Sequence, residues 1–572
     1  MRVTIIYDED IRRPMLDVIA RSQRGRNCDY RWDNRSVITP CVLRTVTGQC
    51  EDDMYIFVEN GRRTLVKGGN RIPLDEGLMT AESSDTVTAP FTQDGVCVLR
   101  LPYDGEIPED TEILVIANGF ELRDDARRLV STIISLREKV GYNVLILATG
   151  LMDASNMALL SYMGIDMFDD SVARVYGIHD VLSIPEGTVE SDHDTTEENL
   201  AALAEECSKV RSFTNGERLR ELVDQRSFSS PVNVAILRLF DSEGYGYQEE
   251  GCSTVGCRFS CNSVQALRRP DVLRYRKRIM EEYRKPEHKC ILLLLPCSAK
   301  KPYHISKTHK RFASAIHTAQ HDTLVHEVIV TSPLGIVPRE LDIFYPANSY
   351  DIPVTGEWKP EEKQFIREML SKLLEQGYDK VISHLGEDTE LVKGLCDMEE
   401  TVIGDSTSPA SLTKLDETLR AAAKGMKGVD YPTDRKETIR SVLTFQFGSE
   451  YADLIMDGET TGIGKFPYWK IVRGNEQLGM MTAERGMISL TLEGAEILAA
   501  KGYHVVEMMD FELKGNLFAV GVVSADPDIR IGDEAIVTLN GKVKAVGVAM
   551  MSGREMVDLN RGIAVRIRHK SK

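Results

Sequence analysis

Residues 291–303 read Ile-Leu-Leu-Leu-Leu-Pro-Cys-Ser-Ala-Lys-Lys-Pro-Tyr. Five apolar residues, Ile291 to Leu295, predict a buried strand. Cys297, Lys300, Lys301, Tyr303, Ser306 and His309 then bring a thiol, two ammoniums, a phenol, a hydroxyl and an imidazole in quick succession. In α/β sheets ligands bind just outside the carboxyl ends of the strands. The thiol therefore stands where chemistry is expected.

The surrounding sequence extends that strand into a domain, 290–423. Further strands are predicted at 327–331, 379–385 and 401–404, and helices at 306–321, 360–376 and 409–423. The alternation predicts a three-layer α/β sandwich. Pro360-Glu361-Glu362 suits the first turn of a helix. Residues 424–434, with two glycines and Pro432, read as a linker. Upstream, residues 1–289 alternate strands (113–118, 144–149, 165–168) with helices (122–140, 155–163). Strand, helix, strand at this spacing means parallel pairing with right-handed crossovers, in a barrel or an open sheet. Downstream, 435–502 mixes helix and strand as a small α+β domain. From 503 to 572 short strands alternate with Gly and Asp-Pro turns, an all-β module.

A chain of 572 residues is too long for one core. It is 42% hydrophobic and 28% charged, as globular proteins are. It lacks an eighteen-residue apolar run, and MRVTIIYDED lacks a signal-peptide layout, so a cytoplasmic protein with no membrane span is expected. Eleven cysteines in so long a chain point to metal ligation or catalysis before disulfides. The net charge of −18 argues against nucleic acid, but the charges are unevenly placed. Acidic residues gather at 186–198. Basic ones gather at 268–289, again at Lys300, Lys301, Lys307, Lys310 and Arg311, and at the C-terminus. Local basic surface sets phosphate affinity, so these clusters are candidate RNA contacts or wet helix faces.

Three groups of residues can do chemistry. Lys300, Lys301 and His309 would favour the nucleophilic thiolate of Cys297, or Cys297 is a packed core thiol. Arg339, Glu340 and Asp351 lie in loops after a second strand, predicted at the same sheet edge. Cys252, Cys257 and Cys261, with His288 or Cys290 downstream, supply zinc-type ligands; the alternative is reduced, unligated thiols.

The residues Pro296, Cys297, Lys301, Pro302, Tyr303, Ser306 and His309 resemble the signature of the archaeosine synthase family, tRNA-modifying enzymes of archaea. Residues 117–170 and, more weakly, 38–45 resemble the (β/α) barrel of archaeal tRNA-guanine transglycosylases. The Asp-Ser-Gly-Gly-Phe-Gln segment of those enzymes is missing, so the resemblance implies a barrel without transglycosylase chemistry. Gly515–Ala519, Gly532-Asp533-Glu534 and Ser552–Met556 through Gly562 resemble a PUA domain, an RNA-binding module. The family implies a multidomain α/β chain: a transglycosylase-like barrel (1–289), the Cys297 domain (290–423), a small linker domain (435–502) and a PUA domain (503–572).

The family also implies a reaction. Free lysine is joined through its side-chain amine to the nitrile of 7-cyano-7-deazaguanine in the D-arm of tRNA. On that reading Cys297 is the nucleophile, or it packs against the base while lysine attacks directly. His309 or Lys301 would move protons, Tyr303 and Ser306 would hydrogen-bond the base or the developing anion, and Arg339, Glu340 and Asp351 would hold the ends of lysine. A structural zinc on Cys252, Cys257, Cys261 and His288 would follow transglycosylase practice. A radical S-adenosylmethionine partner subunit and a homodimer are further family traits. Rival readings are an amidotransferase fed by glutamine-derived ammonia, a base-exchanging transglycosylase and a non-catalytic tRNA scaffold.

Overall fold

Ile291 to Leu295 have no exposed surface, which the central strand of a helix-covered parallel sheet requires. In the computed structural model, which describes residues 15–74 and 90–571, this strand runs from Ile291 to Pro296. The N-terminal strand expected in MRVTIIYDED lies outside the described residues. The chain divides into two units. One holds residues 1–252, 516–530 and 551–564; the other holds 253–515, 531–550 and 565–572.

In the second unit the sheet order is 335–338, 325–331, 291–296, 380–383, 399–400. All pairings are parallel except that of Gly335–Pro338, which folds back as a hairpin on Val325–Thr331. The path moves from 291–296 to one neighbour and then over it to the other, 380–383. Right-handed crossovers in opposite directions put helices on both faces and open a crevice at the carboxyl ends. Helices Lys307–Thr318 and Pro409–Ala422 pack together, as do Pro360–Leu374 and Pro270–Glu281.

Residues 253–289, expected with the barrel, contribute to this core instead. Val272, Tyr275, Ile279 and Tyr283 join the same buried cluster as the central strand. The reason is periodicity: Val272, Tyr275 and Ile279 line one stripe of Pro270–Glu281, and Tyr283 follows just past its end. The expected linker also shortens. Asp430 accepts from the Thr433 amide and opens helix Tyr431–Phe447, with Pro432 in its first turn. Proline there lacks only an amide proton that a helix start leaves unbonded. Helix Ser449–Ile455, a four-stranded antiparallel sheet (Thr460–Lys465, Tyr468–Arg473, Glu476–Met481, Ile488–Leu490) and helix Leu492–Ala499 follow. Val505–Met508, Glu534–Leu539, Lys542–Ala549 and Ile563–Lys570 pair side by side near the C-terminus.

In the first unit, strands 41–43, 167–169, 145–148, 113–116 and 96–99 pair in parallel, and 91–93 adds an antiparallel edge. A complete (β/α) barrel calls for eight parallel strands. The described residues supply five, and hairpins occupy 15–39 and 54–73. Asp166, buried, is held by Arg26 and Arg137 at 2.8 and 2.6 Å.

Candidate functional site

Cys297 is the first residue past the central strand and is half-buried. Burial pushes its thiol up from the ordinary value, against the downward pull of the Lys301 cation and a hydrogen bond with Thr331. The expected thiolate bias is therefore overridden: desolvation outweighs the cation. Lys301 shows the complementary effect. Burial lowers its affinity for the proton, opposed by the nearby Cys297 and Asp351. Its Nζ sits 3.9 Å from the centre of the Tyr350 ring. An ammonium whose pKa falls beside a thiol whose pKa rises is an arrangement in which a proton can pass between them.

Beneath this pair lies a hydroxyl cluster. The Tyr303 hydroxyl bonds to Thr331 Oγ1 at 3.3 Å and to the Tyr350 hydroxyl, and Thr331 Oγ1 meets the Tyr350 hydroxyl at 2.5 Å. Tyr303 and Tyr350 are fully buried, and their rings form a floor under the Lys301 ammonium. Neither Thr331 nor Tyr350 belongs to the signature around Cys297. The available signal was position, since Thr331 ends the strand next to the one that Cys297 follows.

The rest of the signature builds the loop. Ser306 is the N-cap of Lys307–Thr318, its Oγ accepting from the His309 amide at 3.1 Å. His309 is buried, and Arg339 Nη2 donates to its Nδ1 at 2.8 Å. Burial, then the Arg339 cation, hold the imidazole down at about 3. An imidazole held neutral in this way does not match the proton-moving role expected of His309.

Arg339 and Glu340, expected to hold a substrate, are committed inward. Arg339 donates to Glu327 Oε2 from Nε and Nη2 (2.9 and 2.7 Å) and to Asp342 Oδ2 from Nη1 (3.3 Å). Glu340 is buried and accepts from the Tyr283 hydroxyl at 2.6 Å. His384, at another strand end, is buried between Thr401 Oγ1 and the Ser406 carbonyl. Asp351 differs. It is open to solvent and pairs with Arg258 Nη2 at 2.5 Å, where Phe259–Ser260 lies alongside Tyr350–Asp351. An accessible cation and carboxylate side by side, near Lys301, match the two charges of an amino-acid backbone. Trp358 Nε1 donates to Asp388, whose charge acts on Cys297.

Most of the basic run at 268–289 serves packing. Arg269 pairs with buried Asp271, Arg276 donates to the Pro333 carbonyl over the Phe365 ring, Arg278 reaches the Gln446 carbonyl and Lys289 bonds to Asp434. His288 Nε2 lies 2.8 Å from Asp434 Oδ1. Among the described residues, no three His, Cys, Asp or Glu side chains gather in a group that could hold a metal ion. No helix among the described residues is long and apolar enough to cross a membrane.

Residues 272–419 match a family model described as a domain of unknown function (DUF5591), and 503–570 match the PUA domain. "Archaeosine synthase subunit alpha" of Thermoplasma acidophilum is 34% identical over 81% of this chain and 89% of its own length. "Archaeosine synthase" of Haloferax volcanii is 31% identical over 97% of this chain and 98% of its own. A "tRNA-guanine(15) transglycosylase" of Methanobrevibacter smithii is 24% identical over 72% of this chain and 64% of its own. The Cys297 signature lies inside the first matched domain, and the near end-to-end similarity extends well beyond it: the chain belongs to the archaeosine synthase family.

Proposed function

We propose that this protein modifies tRNA in archaeosine biosynthesis by joining free lysine to the nitrile of 7-cyano-7-deazaguanine, with Cys297 as nucleophile. The observation that carries this reading is the Cys297–Lys301 pair above the Tyr303–Thr331–Tyr350 floor, beside the accessible Arg258–Asp351 pair. Lys301 draws the proton from the thiol, and sulfur adds to the nitrile carbon to give a thioimidate. The nitrile nitrogen takes a proton from the Lys301 ammonium. The side-chain amine of free lysine then attacks the same carbon, the C–S bond breaks and an amidine remains. Sulfur leaves as thiolate and recovers a proton from the attacking amine through Lys301. The sequence needs no oxidant and no nucleotide triphosphate.

In this reading Arg258 holds the α-carboxylate of lysine and Asp351 its α-ammonium, so the neutral side-chain amine is presented to the thioimidate. The test is nucleoside mass spectrometry on nitrile-bearing tRNA incubated with the protein and isotope-labelled lysine. A labelled nucleoside with the combined mass of the nitrile-bearing nucleoside and lysine is expected. A nucleoside labelled from glutamine instead, or guanine released from unmodified tRNA, would replace this reading with a rival.

A further inference from the structure

The four-stranded sheet 460–490 leaves one face uncovered. Alternation turns Trp469, Ile471 and Met481 to the core, a register shift buries Leu478, and helices 431–447 and 492–499 pack on the sheet. The opposite face presents Ile463, Lys470 and Met480, paired across three adjacent strands. Lys465 faces Tyr468 on the next row of the same face. Ile463 and Tyr468 are about half exposed, at 52% and 51%. The Tyr468 hydroxyl donates to Glu484 at 2.9 Å, which anchors the ring at its edge. Phe466, at the tip of the hairpin, meets the His304 ring edge-on with centroids 5.2 Å apart. That contact ties the sheet to the loop that carries Cys297.

We propose that this face is an RNA-contacting surface, separate from the PUA module, for unstacked nucleotides of the tRNA whose base reaches Cys297. The proposal rests on the reading above that a tRNA base is the substrate. A base can reach a half-buried thiol only by leaving its stack, and its neighbours are then left unstacked. An exposed aromatic ring flanked by lysines is the chemistry that receives them, because bases stack on the ring and phosphates pair with the cations. Ile463 and Met480 add apolar surface, and both charged side chains in the paired rows, Lys465 and Lys470, are cationic.

The test uses the full chain and fluorescence anisotropy with an unmodified tRNA transcript at several salt concentrations, without lysine. Tyr468→Ala is expected to weaken binding about tenfold. Lys465→Ala/Lys470→Ala is expected to lower the salt slope by about 1.5. Tyr468→Phe retains the ring and loses the Glu484 bond, so it is expected to bind like the wild type. Unchanged affinity and slope in the first two variants would overturn the surface, and so would a Tyr468→Phe loss equal to that of Tyr468→Ala. A wild-type chain with no salt-dependent tRNA affinity would sink the tRNA-substrate reading along with it. Failure of lysine ligation alone leaves the measurement intact, since no lysine is present. Binding of a protein segment to this face, with tRNA affinity untouched by the variants, would likewise count against RNA.

Discussion

Lys301 and Arg339 are two cations of one domain, both expected from sequence to meet substrate, and the structure separates them by what surrounds each charge. Lys301 is half-buried, rests its ammonium on the Tyr350 ring and acts on the Cys297 thiol, and burial has lowered its proton affinity. Arg339 is surrounded by Glu327, Asp342 and His309, and every nitrogen of its guanidinium has a partner. A poised, incompletely neutralised charge is available for chemistry; a saturated one holds the fold together. The charged residue nearest a signature is therefore not automatically part of the site.

The comparison can be broken most sharply at the thiol that Lys301 serves. Cys297→Ala is expected to cut lysine incorporation about a thousandfold or more while thermal stability stays close to wild type. Substantial residual turnover would mean direct attack by lysine, with Cys297 only packing. Arg339→Ala should behave in the opposite way. It leaves Glu327 and buried Asp342 without their cation, for a loss of about 3–5 kcal/mol of stability readable by denaturant titration. Normal stability with weakened lysine binding would return Arg339 to the substrate site.

A smaller effect sharpens the Lys301 side. Lys301→Met removes the cation that favours the thiolate, so alkylation of Cys297 by iodoacetamide at pH 8 should slow about tenfold. In both proteins the rate should keep rising with pH, because burial holds the thiol above its ordinary value. Equal rates for the two proteins would show that Lys301 does not act on the thiol.

The smallest effect concerns His309. Its folded imidazole stays neutral down to about 3, whereas an unfolded histidine binds a proton near pH 6.5. Between those values unfolding takes up a proton, so stability falls as pH falls, by up to about 1.4 kcal/mol per pH unit; above about 6.5 the group has no such effect. His309→Gln should lose less stability than wild type between pH 7 and pH 4.5. An identical loss would mean that His309 is protonated in the fold.

Much of the fold was legible because its signals are local. The buried run at 291–295, the helix start at Pro360-Glu361-Glu362 and the short C-terminal strands each announce themselves within a few residues. The loss came where an element depends on what it packs against. The arginines of 268–289 look like a nucleic-acid patch in one dimension, yet Arg269, Arg276 and Arg278 turn to an internal carboxylate and internal carbonyls. Pro432 looks like a breaker until Asp430 is seen capping the helix that it opens. At the site, the signature pointed to Cys297 and Lys301, but Thr331, Tyr350 and Arg258 come from three other segments that meet only in the fold, through strand pairing and side-chain contacts. Ser306 caps a helix and His309 makes a buried bond, contacts that no spacing distinguishes from catalytic duty.

The most direct measurement is to trap the bond itself. The full chain is mixed with nitrile-bearing tRNA without lysine, denatured and resolved for a covalent protein–tRNA conjugate, with lysine then added to a parallel sample. The expected result is a conjugate that maps to Cys297, is absent from Cys297→Ala and disappears when lysine is supplied. No conjugate, together with lysine incorporation by Cys297→Ala at most of the wild-type rate, would contradict the nucleophilic role on which this account stands.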